Sequence, residues 1–173
     1  MGKDTQNKTV LTSREFSSGG VVFKGHGKNV LWLVTASMPS TLYPKVVWRL
    51  PKGWIDNETP DIPGPKASGK VKADEESLEK AALREVREEG GIEAGIIKKI
   101  GTEKYFFNAP DKGKILKFVT FYLMEWVKDV PEGHDEETSE ITWLPFDEAI
   151  KKLSYSGEKE MLKKAEELLA PVA

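Results

Sequence analysis

The feature that most constrains the fold is an amphipathic helix, predicted from about Glu75 to Glu89, whose apolar stripe continues into acidic residues. Asp74 is a suitable N-cap, and Gly90-Gly91 is a strong stop signal. At 100° per residue, three glutamates fall on the same side as the small apolar residues that should pack on the protein. They are Glu85, Glu88 and Glu89. Packing this stripe on a sheet would draw three carboxylates toward the protein.

Several carboxylates in one small volume repel one another unless a cation neutralises them. The chain has no cysteine and only two histidines, so a metal site must use oxygen ligands. Oxygen ligands suit Mg²⁺ or Mn²⁺, and Mg²⁺ commonly bridges carboxylates to substrate phosphates. The helix therefore predicts a divalent-metal site for a phosphate compound. The alternatives are a solvated acidic face, or a docking face with no metal-dependent turnover.

The remaining pattern predicts a single α/β domain with a mixed sheet and packed helices. Its predicted strands are 16–24, 30–35, 46–50, 97–107, 115–127 and 140–143, and a last helix spans 157–169 with an apolar stripe that includes Leu168. Residues 1–14 form a polar lead, and 15–173 form the domain. The Pro-, Gly- and Lys-rich stretch 59–73 predicts a mobile loop, either a disordered surface segment or a lysine lid over the substrate.

Charge and hydropathy limit the partners. Lys plus Arg total 26 against 28 Asp plus Glu, so no global positive field favours a nucleic-acid polymer or an anionic membrane. The sequence shows neither a signal peptide nor an apolar run long enough to span a membrane. We therefore expect a cytoplasmic protein with a small-molecule partner, and we leave open whether it forms a homodimer.

The segment Arg84-Glu85-Val86-Arg87-Glu88-Glu89-Gly90-Gly91-Ile92 resembles the Nudix box, whose tail reads Arg-Glu-U-x-Glu-Glu-x-Gly-U with U a bulky aliphatic residue. Gly53 matches the leading glycine of the box, and Glu76 matches its upstream glutamate. Arg84 follows Gly53 by 31 positions, about 17 more than in the family pattern, so the stretch 59–73 reads as an insertion inside the box. The resemblance implies a Nudix-type α/β/α sandwich that hydrolyses phosphoanhydride bonds.

The resemblance also implies roles for individual residues. Glu85, Glu88 and Glu89 would bind Mg²⁺ or Mn²⁺, with Glu85 or a neighbouring glutamate also polarising the attacking water. Arg84 would orient these carboxylates, and the Gly53 carbonyl would add a ligand. In the acidic run before the last strand, Glu136 and Glu137 are the candidates for a further glutamate that reaches the metal or the water, and a solvated loop is the alternative. Glu76 fits an ordinary first-turn acid equally well.

Four further residues are candidates for substrate binding. Lys52 could pair with phosphate, and Tyr105 could stack a base. Lys114 and Lys117 could grip a phosphate chain, or simply solubilise a turn. Trp54 departs from the subgroup that acts on dinucleoside polyphosphates, where histidine often follows the glycine, but Pro51-Lys52-Gly53 and the ending near Tyr155 resemble bacterial members of it.

We therefore expect Mg²⁺-dependent hydrolysis of a nucleoside diphosphate-linked compound, most like a dinucleoside polyphosphate. The alternatives are a nucleoside diphosphate sugar, a diphosphoinositol polyphosphate or an oxidised nucleoside triphosphate. An inactive Nudix-fold binding module is the alternative from another class.

Overall fold

The computed structural model describes residues 13–170, so residues 1–12 of the predicted lead and the last three residues lie outside it. Ser13 and Arg14, predicted as the end of the lead, instead belong to the first strand. The strands are β1 Ser13–Lys24, β2 Leu31–Ser37, β3 Trp48–Arg49, β4 Lys52–Trp54, β5 Asn57–Thr59, β6 Ile62–Pro63, β7 Ile92–Ala109, β8 Gly113–Asp129 and β9 Thr138–Leu144. The helices are α1 Glu75–Gly90, α2 Phe146–Lys152 and α3 Ser156–Leu169, with a 3₁₀ turn at Gly27–Asn29.

The main sheet is mixed, as predicted, and runs in the order β3-β2-β1-β8-β7, with β4 paired to β1 and β9 paired to β2. β1 and β8 are parallel, whereas the other pairs are antiparallel. Helix α1 packs against one face through Ala82 and Val86, and α3 packs against the other through Leu162 and Ala165. The predicted α/β/α sandwich is therefore confirmed.

Helix α1 has the predicted ends. The Asp74 carboxylate accepts a hydrogen bond from the Ser77 N–H, and Gly91 adopts the left-handed conformation with φ 66° at the C-cap. In β1, a side chain at Gly20 would overlap Val86, so this glycine lets the helix approach the sheet closely. The sequence therefore fixes both the length of α1 and its distance from the sheet.

Two predictions of local structure are wrong, and one helix was missed. The strand predicted over 46–50 is only Trp48–Arg49, α2 was not predicted, and Leu168 is 41 % exposed rather than part of the packed stripe of α3. The short strand precedes Pro51, whose missing N–H cannot extend a ladder.

The insertion 59–73 is packed rather than an unstructured loop. Strands β5 and β6 form a small hairpin, and the Asp56 carboxylate accepts hydrogen bonds from the N–H groups of Lys66 and Ala67. Ala67 is fully buried, and its carbonyl accepts a hydrogen bond from the Phe16 N–H in β1. These hydrogen bonds give partners to backbone N–H and C=O groups in a segment whose composition alone predicts disorder.

Among residues 13–170, none of the helices has the length and apolarity needed to cross a bilayer.

Candidate active site

Two of the three glutamates on the stripe of α1 are buried. Glu85 is 8 % exposed and Glu89 is 3 % exposed, whereas the Glu88 side chain is 48 % exposed. The prediction that all three face the protein is therefore wrong for Glu88, which lies at the edge of the stripe and points to solvent. Glu76 is also exposed and pairs with Lys80, which is the arrangement of an ordinary first-turn acid.

Strand β4 lies directly over the buried carboxylates. A side chain at Gly53 would overlap the Glu85 carboxylate, so only glycine allows the two to approach this closely. The next residue toward the N-terminus, Lys52, donates its backbone N–H to Glu89 Oε2 at 3.0 Å. Strand β4 and helix α1 therefore meet at Gly53, where the sequence pattern places the start of the site.

Arg84 joins this strand to the carboxylates. Its Nη2 donates to the Trp54 carbonyl at 2.7 Å and to Glu85 Oε1 at 3.2 Å, and its Nε lies 4.0 Å from Glu88 Oε1. One guanidinium therefore contacts both the backbone after Gly53 and two carboxylates, and the role of Arg84 in orienting them stays a prediction.

The two buried carboxyls hold their protons more tightly than usual. Burial raises the pKa of Glu85 to about 7, the Arg84 cation opposes the shift, and Glu88 and Glu137 add to it. Burial raises the pKa of Glu89 to about 8, where Arg49 opposes the shift and Glu85 and Glu137 add to it. Carboxylates that are buried and repel one another are stabilised in their charged form by a bound cation.

A loop after β8 adds a further carboxylate. The Asp135 N–H donates to the Glu88 carbonyl at 2.7 Å, which docks this loop on the end of α1. Burial raises the pKa of Glu137, with Asp135 and Glu88 adding to the shift and Arg49 opposing it. Glu136 and Glu137 are both exposed, and no contact described for residues 13–170 joins either side chain to α1. The charge of Glu137 raises the pKa of Glu85 and Glu89, so the electrostatics favour Glu137 as the additional acid.

The residues present fit a hard divalent cation. The donors are all oxygen atoms, and Gly53 leaves the Glu85 carboxylate close against the β4 backbone. In the part of the chain that the structure describes, no three His, Asp or Glu side chains already form a closed set of metal ligands. Glu88 and Glu137 would have to turn inward to join the buried pair.

A group of cations lies beside the carboxylates. Arg49 Nη2 is 3.8 Å from Glu89 Oε1, and Lys117 Nζ is 4.0 Å from Glu15 Oε1. Burial lowers the pKa of Lys117 to about 8, and the nearby cations Lys52 and Arg49 lower it further while Glu15 opposes the shift. A buried lysine with cationic neighbours is an environment suited to an anion. The sequence reasoning missed Arg49, although a charged residue inside the apolar run 46–50 is a visible signal.

The other predicted substrate residues separate onto two faces. Tyr105 pairs with Lys117 across β7 and β8, and its hydroxyl accepts a hydrogen bond from Lys52 Nζ at 3.2 Å. Lys114 lies an odd number of residues from Lys117 on β8 and therefore points to the opposite face, where its Nζ is 4.4 Å from the Phe106 ring centroid. The structure brings Lys52, Tyr105 and Lys117 together and leaves Lys114 apart.

The lysine predicted to pair with phosphate is already partnered. Lys52 Nζ lies 3.0 Å from Glu158 Oε2, and its side chain is 12 % exposed. Burial opposes the charge, but Glu158 and Tyr105 outweigh it and raise the pKa of Lys52 above its ordinary value. A phosphate contact by Lys52 would have to compete with this ion pair.

Trp54 is held at the edge of the same face. Its indole N–H donates to Glu15 Oε1 at 2.8 Å, and Lys112 Nζ lies 5.4 Å from its ring centroid. The other four tryptophans contribute to packing. Trp32 is buried, and Trp48, Trp126 and Trp143 are partly buried against the two cores.

Comparison with known proteins places the chain in a family. The profile of the NUDIX domain matches residues 14–165. A Mycobacterium tuberculosis protein named as mutator protein MutT4 is 28 % identical over 159 residues, which cover 91 % of this chain and 57 % of that protein. The chain thus spans little more than half the length of this relative.

Solved structures share the fold. The C. elegans Ap4A hydrolase in a binary complex aligns with a TM-score of 0.61 at 21 % identity, covering 90 % of this chain and 97 % of that chain. The NUDIX domain of Shewanella oneidensis NrtR, solved with ADP ribose, aligns with a TM-score of 0.61 at 16 % identity, covering 96 % and 95 %. Because the family profile covers most of the chain and these structures share its architecture, the chain belongs to the NUDIX family of hydrolase domains.

Proposed function

We propose that the protein hydrolyses a phosphoanhydride bond in a nucleoside diphosphate-linked compound, with Mg²⁺ or Mn²⁺ as cofactor. The observation that carries this proposal is the pair of buried carboxylates, Glu85 and Glu89, held under Gly53 and next to the Arg49 and Lys117 cations. A site with adjacent negative and positive groups suits a metal ion together with a phosphate chain.

Glu85 and Glu89 would hold the metal, with Glu88 and the Gly53 carbonyl completing the ligand set. When bound, such an ion supplies positive charge to phosphate oxygens and lowers the pKa of water. Arg84 keeps the Glu85 carboxylate turned toward β4, because it is hydrogen-bonded to both. This contact supports the proposed role of Arg84 in orienting the ligands.

Glu137 is our first candidate to accept the proton of the attacking water. It lies two residues after Asp135, whose N–H donates to the Glu88 carbonyl, and its charge raises the pKa of both Glu85 and Glu89. A general base must come within hydrogen-bonding distance of the water, and it works best with a pKa closer to neutrality than that of an ordinary carboxylate. The pKa of Glu137 is raised in that direction. Glu88, exposed on the other side of the stripe, is the second candidate for this role.

The substrate we propose is a dinucleoside polyphosphate. Arg49 and Lys117 would hold phosphates beyond the reacting one, and Tyr105 or Trp54 would contact a base. One solved relative of the same fold is named as an Ap4A hydrolase. The activity in that name supports the proposal as an analogy of fold, since the two chains are 21 % identical.

A second candidate substrate is a smaller nucleotide. The NrtR domain was solved with ADP ribose, and the sequence relative bears a mutator-protein name rather than an Ap4A name. Nucleoside diphosphate sugars, diphosphoinositol polyphosphates and oxidised nucleoside triphosphates share the same reacting group. A cytoplasmic location stays a prediction from the sequence, and the sequence leaves open whether the protein forms a homodimer.

A substrate panel tests the proposal. Ap4A, ADP-ribose, an oxidised nucleoside triphosphate and a diphosphoinositol polyphosphate would be incubated with the protein and Mg²⁺, and kcat/KM measured for each. We expect the highest value for Ap4A. A higher kcat/KM for a compound with one nucleoside would make that class the proposed substrate. No turnover of any compound with Mg²⁺ or Mn²⁺ would support the inactive binding module.

A further inference from the structure

A buried carboxylate outside the Nudix box forms a hydrogen bond and an ion pair with the segment that covers the proposed metal site. Glu158, near the start of α3, is fully buried. Its Oε1 accepts a hydrogen bond from the Leu50 N–H, and its Oε2 lies 3.0 Å from Lys52 Nζ. One side chain on the far layer of the sandwich therefore contacts two of the three residues that precede Gly53.

The same short segment is held from the opposite side by the acidic helix. The Lys52 N–H donates to Glu89 Oε2, and Gly53 lies against the Glu85 carboxylate. The Pro51 carbonyl between them accepts a hydrogen bond from the Gly20 N–H at 3.1 Å. Residues 50–53 are therefore fixed between Glu158 on α3 and the carboxylates of α1, with β1 beneath.

The stability of the fold does not explain why the ion pair between Lys52 and Glu158 is buried. Removing two charges from water is costly, and apolar residues of similar size are often at least as stabilising in such a place. The lysine could reach solvent on a long flexible stem, yet it is anchored between Glu158 and Tyr105. An ion pair does fix the direction of a backbone more closely than apolar packing, because its distances and angles are restricted.

We propose that Glu158 is a positioning residue for the metal site, which it controls through Lys52 and the backbone of residues 50–53. The inference rests on the proposed function, since it assumes that Glu85 and Glu89 bind a divalent ion. Loss of the contacts from Glu158 would let β4 shift relative to α1. The Lys52 N–H that donates to Glu89 and the Gly53 carbonyl would shift with the strand. Residues that orient ligands in this way commonly change metal affinity by roughly 10- to 100-fold.

Manganese binding to the full chain tests this role without substrate. Free Mn²⁺ would be titrated by electron paramagnetic resonance against wild type, Glu158→Gln and a matched control, Glu160→Gln. Glu160 lies on the same helix and is 61 % exposed, and within residues 13–170 its salt bridge is with Lys163. We expect Glu158→Gln to weaken Mn²⁺ binding about tenfold or more and Glu160→Gln to leave it unchanged.

A second variant separates positioning from folding. Glu158→Gln leaves the Lys52 ammonium buried without its counter-ion, so the variant should melt at a lower temperature. The double variant Lys52→Met with Glu158→Gln carries no unpaired charge, so its melting temperature should return toward that of wild type. We expect its Mn²⁺ affinity to stay weakened, because the ion pair that anchors Lys52 is absent even though the glutamine can still accept the Leu50 N–H bond.

The outcomes are distinguishable. Mn²⁺ affinity that recovers together with the melting temperature in the double variant would reduce Glu158 to a structural residue and overturn the inference. Wild-type affinity in Glu158→Gln would also overturn it, while loss of binding in Glu88→Gln would leave the proposed function standing. Failure of the wild-type protein to bind Mn²⁺ would overturn both.

Discussion

Without metal, the protein should become less stable as the pH rises from 6 to 8. Burial and neighbouring acids raise the pKa of Glu85 to about 7 and that of Glu89 to about 8, from an ordinary value of 4.5. Above pH 4.5 the unfolded chain has released these protons, whereas the folded protein still holds them. The folded state therefore binds more protons, and the free energy of unfolding falls as the pH rises through the two folded pKa values, about 7 for Glu85 and about 8 for Glu89.

The size of the effect follows from the two shifts. Between pH 6 and pH 8 the two carboxyls together should remove on the order of 3 kcal/mol of stability. For a chain of this size, such a loss corresponds to a fall of roughly 6 to 12 °C in melting temperature. Lys117 offsets little of this loss. Its pKa is lowered to about 8, so the stability that the folded protein gains when Lys117 loses its proton appears mostly above pH 8.

The assay is thermal unfolding by circular dichroism in EDTA or in saturating Mg²⁺ at several pH values. Mg²⁺ binds the ionised carboxylates, so it should raise the melting temperature more at pH 8 than at pH 6. The variant Glu85→Gln with Glu89→Gln should show a much weaker pH dependence in EDTA, and the Glu160→Gln control should behave as wild type. A melting temperature in EDTA that is level or rises from pH 6 to 8 would refute this account of the buried carboxyls.

Three further perturbations test the site and the fold. Glu88→Gln and Glu89→Gln should each lower kcat with Mg²⁺ at least about a hundredfold at unchanged circular dichroism, and near-normal turnover would rule out their metal role. Lys117→Met should raise the KM for Ap4A severalfold, whereas Lys114→Met on the opposite face should leave it unchanged; equal effects would contradict the face assignment. Asp56→Ala should cost about 1–3 kcal/mol in urea unfolding, because two N–H groups of the insertion lose their acceptor, and an unchanged midpoint would count against this anchor.

The parts of the site that lie on one helix could be predicted from the sequence. Helical periodicity placed Glu85 and Glu89 on the packed side of α1, and the Gly91 stop signal fixed where the helix ends. The same reasoning would have found Glu158. Met161, Leu162 and Ala165 follow it at positions three, four and seven, so a carboxylate lies on the apolar stripe of α3 just as it does on α1.

What could not be predicted depends on contacts between distant segments. Composition makes the insertion look disordered, but one carboxylate, Asp56, bonds its backbone and holds Ala67 against β1. Lys66, considered as part of a lid, instead donates to the Ser77 hydroxyl at the start of α1. No local pattern shows which lysine will find a partner, because the partners become neighbours only after the sheet has formed.

We propose that the carboxylates of α1 support metal-dependent attack of water on a phosphoanhydride. Hydrolysis of Ap4A in ¹⁸O-labelled water with Mg²⁺, with the products analysed by mass spectrometry, follows that attack at the atoms that react. We predict one ¹⁸O atom in a single phosphate-containing product, loss of the reaction in EDTA, and no effect of a zinc-selective chelator. Turnover that persists in EDTA, or that Glu85→Gln leaves unchanged, would contradict the claim.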